Sequence, residues 1–157
     1  MWVVCGPPRS GTTAMLEAVA AWTTLRVRWS LPVEWQSRTQ TGRAESFLEL
    51  PSYLVGQAGA GEVVKVLDPA VSFRPTRALL MIRDPVEVSR SARARLKQLI
   101  SPGDVSARVE AFRSLGWDLD EVGFDELGDL PVLFARLADC GWPVVGPAQA
   151  MLTWGVR

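Results

Sequence analysis

Arg9 lies in a stretch whose residue types could hold a phosphate, Gly6-Pro7-Pro8-Arg9-Ser10-Gly11-Thr12-Thr13. The glycines are spaced Gly6-x-x-x-x-Gly11, a pattern that lets backbone N–H groups converge on an anion. The apolar run from Trp2 to Cys5 predicts a buried strand before the loop. Apolar residues at helical spacing over 12–22 predict a helix after it. A helix start adds partial positive charge to the same spot. Thr12 stands where loops that bind ATP or GTP carry lysine. The loop is therefore expected to hold a phosphate without the cation that reaches the outer phosphates of those nucleotides. Arg9, inside the loop, is the available cation.

A second stretch has matching chemistry, Met81-Ile82-Arg83-Asp84-Pro85-Val86-Glu87-Val88-Ser89-Arg90-Ser91. Arg83 ends the clearest apolar run of the chain, 78–82. Its planar, permanently charged fork suits bidentate contact with a phosphate. Asp84 capping a helix, with Arg83 ion-paired, is the structural alternative for the same residues.

Together the two stretches resemble the sulfotransferases that use 3′-phosphoadenylyl sulfate (PAPS). Pro8-Arg9-Ser10-Gly11-Thr12-Thr13 is similar to that family's 5′-phosphosulfate loop. The second stretch resembles its 3′-phosphate motif, a strand ending in Arg, often Arg-Asp-Pro, with Ser eight positions on; here these are Arg83 and Ser91. The resemblance implies an α/β fold, a three-layer P-loop NTPase-like parallel sheet flanked by helices, of sulfotransferase type, in one domain over 1–157. It implies PAPS as co-substrate, 3′,5′-adenosine bisphosphate as product, and no metal. Pro8, Arg9, Ser10, Gly11, Thr12, Thr13, Arg83 and Ser91 would bind the co-substrate. Arg9 would stabilise the leaving phosphate, in a position where relatives carry Lys or Arg. Phe124-Asp125-Glu126-Leu127 and the helix after it look like the family's late strand-helix unit.

The acceptor, a hydroxyl or amine, also needs a base. The chain has no histidine, which excludes the His-based version of the family. Other branches use Glu, which makes Glu34 the expected catalytic base, with an exposed loop carboxylate as the equal alternative. Glu45 and Asp68 are weaker candidates. Lys65 resembles a family position where a basic residue approaches the active site; a lysine snorkelling to solvent is the alternative. Trp22, Trp29 and Trp35 could line an acceptor pocket or simply be buried.

The elements that must position these groups alternate strand and helix. Strands are expected over 2–5, 24–29, 62–67, 78–82 and 120–124. Helices are expected over 12–22, 43–55, from 85 to about 100, from Asp104 as N-cap to 115, and over 131–141. This alternation predicts a parallel sheet covered on both faces. In such sheets ligands sit at the carboxyl ends of strands, where both motifs fall.

Composition narrows the classes. The 157 residues are 48% hydrophobic and 22% charged, a globular balance. Lys plus Arg and Asp plus Glu are both 17, so no general attraction to nucleic acid or anionic membrane is expected. Charge is uneven along the chain: seven basic and two acidic residues lie over 74–97, and six acidic and no basic ones over 114–135. No apolar run approaches the ~18 residues of a membrane span. Met1 leads directly into the first strand, and Cys5 and Cys140 are far apart in apolar surroundings, so a reducing, cytoplasmic setting is expected. Two rivals remain: a P-loop kinase using ATP, and a non-catalytic relative that binds a nucleotide or a protein. The acceptor's identity and the oligomeric state are left open.

Overall fold

The computed structural model describes residues 1–27 and 58–147. Five strands form one all-parallel sheet: β1 (Trp2–Cys5), β2 (Arg26–Val27), β3 (Glu62–Val66), β4 (Arg77–Ile82) and β5 (Leu119–Gly123), in the order β2-β3-β1-β4-β5. Four helices flank it among the described residues: α1 (Thr12–Trp22), α2 (Pro85–Leu96), α3 (Pro102–Arg113) and α4 (Leu130–Asp139). A 3-10 turn, Phe124–Gly128, follows β5. The expected helix over 43–55 and the end of the expected strand over 24–29 lie outside the described residues.

The strands read as unbroken apolar runs because both sheet faces are covered. Val4, Val63, Leu79, Met81 and Val122 face α1 and α4, packing with Met15, Leu16, Val19, Leu133, Phe134 and Leu137. Val3, Cys5, Val64, Val66, Ala78 and Leu80 face the other way, onto Val109 and Phe112 of α3 and onto Trp117. Helix α2 packs on α3 and buries Val88 and Ala92. Each such aliphatic side chain contributes roughly 1.5–3 kcal/mol by leaving water. The result is three layers around β1. Cys5, fully buried just ahead of the loop at 6–11, has its thiol pKa pushed up by burial.

Connections reverse direction at the centre of the sheet. The chain leaves β1 through α1 toward β2 and β3 on one side, and leaves β4 through α2 and α3 toward β5 on the other. The crevice at such a switch point lies between the carboxyl ends of β1 and β4. Residues 6–11 follow β1, and Arg83 follows β4.

Two helix boundaries differ from those the sequence predicts. Helix α2 stops at Leu96, short of about 100, because Lys97 turns left-handed at φ 56. Helix α3 is capped by Ser101, whose hydroxyl accepts from the Asp104 N–H at 3.0 Å, and Asp104 is not its N-cap. Pro102 and Gly103 lie inside the first turn, where proline's missing N–H costs nothing. Helix α4 ends as expected at Gly141, which follows the Cys140 C-cap in a left-handed conformation, φ 95.

The amino end of the sheet is closed by a polar cluster. Arg77, first in β4, donates twice to Asp120 of β5, at 2.6 and 3.1 Å. Trp142 Nε1 donates to the same carboxylate at 2.9 Å. Burial acts to raise the Asp120 pKa, but the Arg77 and Trp142 hydrogen bonds and the Arg77 charge outweigh it and hold the group below its ordinary value.

Candidate functional site

The loop after β1 is held by its own backbone. Gly6 N–H donates to Val66 O of β3 at 3.3 Å. Ser10 is fully buried, and its N–H and hydroxyl both donate to Pro7 O, at 3.2 and 2.7 Å. Ser10 thus shapes the loop with the groups the sequence offered to a ligand. The two glycines are required by conformation and by space. Gly6 has φ 147, and a Cβ there would stand 2.8 Å from Ser10 Oγ and 3.0 Å from Met81 O. Gly11 has φ 99, and a Cβ there would stand 2.7 Å from the Phe124 ring.

Helix α1 starts at this loop with an N-terminus open to an anion. Gly11 is its N-cap with no side-chain hydrogen bond, and the first turn carries no acidic residue. Thr12 is buried there. Thr13 Oγ1 accepts a 2.9 Å hydrogen bond from Lys65 Nζ. Lys65 belongs to β3, is 4% exposed, and so does not snorkel to solvent.

Arg9 is where the two sequence motifs meet. Its backbone is left-handed, φ 66. Its carbonyl accepts from Arg83 Nη1 at 3.0 Å, and its own Nε donates to Ser91 Oγ at 3.1 Å. These contacts bridge 74 and 82 residues of chain. Ser91 is the seventh residue of α2, in mid-helix. Asp84 does cap this helix, accepting from Glu87 N–H at 3.0 Å, as the structural alternative foresaw.

Arg83 keeps part of its charge uncommitted. Its guanidinium lies 4.0 Å from the centre of the Phe124 ring. Its Nε is 3.5 Å from Glu87 Oε2, within ion-pair range, yet is buried with no hydrogen-bond partner. A cavity of about 230 Å³ is lined by Pro8, Arg9, Gly11, Thr12, Thr13 and Arg83, together with Glu17 and Phe124. It presents a helix N-terminus, two threonines and two guanidinium groups, a set suited to an oxyanion such as phosphate or sulfonate.

Six of the eight residues assigned to the co-substrate line this cavity: Pro8, Arg9, Gly11, Thr12, Thr13 and Arg83. Ser91 joins them through Arg9, and Ser10 supports the loop from within. Glu34, Glu45, Trp29 and Trp35 lie outside the described residues. Trp22 stacks on Phe134 in the core. Asp68 follows β3, is exposed, and accepts from Ala70 N–H at 2.9 Å. Glu17 and Phe124 were not read as site residues. Glu17 is four residues beyond Thr13 and so shares its helix face. Phe124 follows the carboxyl end of β5, the strand beside β4.

No protein-family model matches the chain, and no curated protein matches it. Among the described residues, no helix is long and apolar enough to cross a membrane, and no group of three or more His, Cys, Asp or Glu is placed to hold a metal ion.

Proposed function

We propose that this chain is a PAPS-dependent sulfotransferase on a P-loop NTPase-like fold. The observation that carries the reading is the meeting of the two motifs on Arg9, through Arg83 and Ser91. Separate motifs for the 5′ and 3′ ends of one ligand have to lie side by side, and these do. The acceptor's oxygen or nitrogen attacks sulfur, the bond from sulfur to the bridging oxygen breaks, and its electron pair stays on the phosphate of the departing 3′,5′-adenosine bisphosphate. Arg9 neutralises the charge that grows there. One preorganised donor of this kind is commonly worth a factor of ~10²–10³. Arg83 and Ser91 hold the 3′-phosphate.

ATP-dependent phosphoryl transfer is the rival. It calls for lysine at residue 12, which is Thr12, and for a threonine hydroxyl on Mg²⁺ at residue 13. The Lys65 ammonium already engages that hydroxyl, and a fixed cation there favours chemistry on a co-substrate that arrives without metal.

Thermal unfolding with 3′,5′-adenosine bisphosphate, AMP or Mg-ATP tests the reading. Ligand at about 100 times its Kd stabilises by about 2.7 kcal/mol, which in a protein this size raises Tm by roughly 5–10 °C. The bisphosphate should give that shift, AMP much less, and Arg83→Ala should cut it to about half or less. A shift with Mg-ATP alone would establish the rival. A bisphosphate shift without sulfuryl transfer to any acceptor would establish a non-catalytic binder.

A further inference from the structure

Helix α2 has an outer face that the phosphate site does not use. Val88 and Ala92 are its buried residues. On the opposite side, Val86, Arg90, Arg93 and Lys97 recur at spacings of four, three and four residues, which puts them on one stripe. All four are exposed, Val86 at 52%. Between Glu87 and Asp104 the chain has four basic residues, these three and Arg95, and no acidic one. Among the described residues none of the four is ion-paired. Arginines elsewhere on the surface are: Arg77 holds Asp120, Arg113 holds Glu110 and Glu121, and Arg136 holds Glu126. The left-handed turn at Lys97 ends the helix and leads the chain to Leu99, at 86% the most exposed large hydrophobic among the described residues. A trough of about 520 Å³ joins the two parts, lined by Val86, Arg90, Arg93 and Leu99, with Asp104 its one carboxylate.

Independently of the co-substrate site, we infer that this face docks on an anionic lipid surface. Three partners could meet the charge: a nucleic acid, an acidic polypeptide or a bilayer. A nucleic acid would pair with the cations and leave Val86 and Leu99 in water, and the face offers no aromatic side chain for a base to stack on. An acidic polypeptide would need a pocket shaped for Leu99. A bilayer meets both demands without a fitted shape. Its headgroups attract the cations, each worth about fivefold in affinity near an anionic leaflet. The apolar tip enters the boundary between headgroups and acyl chains. The chain as a whole carries no net charge, so the attraction is local and turns this side of α2 toward the lipid.

Co-sedimentation of the full chain with vesicles at about 0.1 M salt tests this. One set is phosphatidylcholine, the other phosphatidylcholine and phosphatidylserine at about two to one. The chain should bind the mixed vesicles and not the neutral ones, and should leave them at about 1 M salt, where screening shortens to about 3 Å. Arg93→Glu removes one attraction and adds one repulsion, and should weaken binding about 25-fold. Arg26→Glu makes the same change in net charge on β2, three strands from β4, and should weaken binding less than about twofold. Arg93→Lys keeps the charge without the guanidinium fork and should bind normally, since a headgroup layer reads charge rather than a fixed geometry. Leu99→Ser should cost roughly tenfold. All three positions are exposed, so the variants should melt with the native chain. The inference is overturned if the mixed vesicles do not bind, if neutral vesicles bind equally, if Arg93→Glu and Arg26→Glu act alike, if Arg93→Lys loses binding, or if Leu99→Ser binds normally. Polyglutamate bound more tightly than the mixed vesicles would assign the face to an acidic polypeptide instead, and a DNA duplex bound more tightly would assign it to nucleic acid.

Discussion

Strand β4 has an arginine at each end, and the two are used in opposite ways. Arg77, at the amino end, is locked bidentately onto Asp120, which also accepts from the Trp142 indole. Arg83, just past the carboxyl end, touches a neutral carbonyl, the face of an aromatic ring and, loosely, an exposed Glu87. The first arrangement neutralises charge and ties strands β4 and β5 together. The second holds a guanidinium by a neutral carbonyl, an aromatic face and one long ion pair, so its charge is less fully neutralised. A residue's chemistry is thus decided less by its type than by whether a carboxylate has already claimed it.

The comparison breaks most visibly at Asp120. Asp120→Ala strands the half-buried Arg77 charge and an indole N–H, and should cost about 3 kcal/mol of stability, read by urea unfolding. The bisphosphate shift should survive it. Next comes Gly11→Ala, which forces an L-residue into the left-handed region against the Phe124 ring. It should cost about 1–2 kcal/mol of stability and remove the bisphosphate shift with it. Arg83→Ala should do the reverse of Asp120→Ala. Stability should change little, while bisphosphate affinity, measured by calorimetry, falls about 10- to 100-fold, the worth of a charge-assisted hydrogen bond. Ser91→Ala removes one neutral hydroxyl and should weaken the same binding only about threefold to tenfold.

Acid sharpens the contrast at the amino end. Asp120 titrates lower in the folded chain than its ordinary 3.8, so its contribution is complete above that value. It is lost as pH falls through 3.8 toward the depressed folded value. Asp120→Asn should flatten this part of the stability–pH curve, and a curve that stays as steep as the native one would assign the acid limb to other groups.

The strands were readable in the sequence because burial on both faces writes them as apolar runs, as at Val3–Cys5 and 78–82. The tight loop at 6–11 was readable because its glycines answer a local demand of conformation and space. What could not be read depends on strand order. Arg9 meets Ser91 only because β4 lies directly beside β1, and Phe124 reaches Gly11 only because β5 lies beside β4. The early end of α2 carries no glycine or proline signal, since Lys97 itself takes the left-handed turn. Ser101 was passed over as a cap because Pro102-Gly103 reads as an interruption when it is a first turn. Lys65 could be read either at the site or snorkelling to solvent, and what buries it is the first turn of α1, whose Thr13 accepts from its ammonium.

The left-handed backbone at Arg9 has a consequence for how the chain could be improved. A side chain in that conformation costs on the order of 1–2 kcal/mol that glycine would not. Arg9→Gly should relieve that strain but give up the hydrogen bond to Ser91, a loss of similar size, so Tm should move little. The arginine thus keeps a backbone shape that glycine would take more readily, and its own side-chain contact offsets the strain.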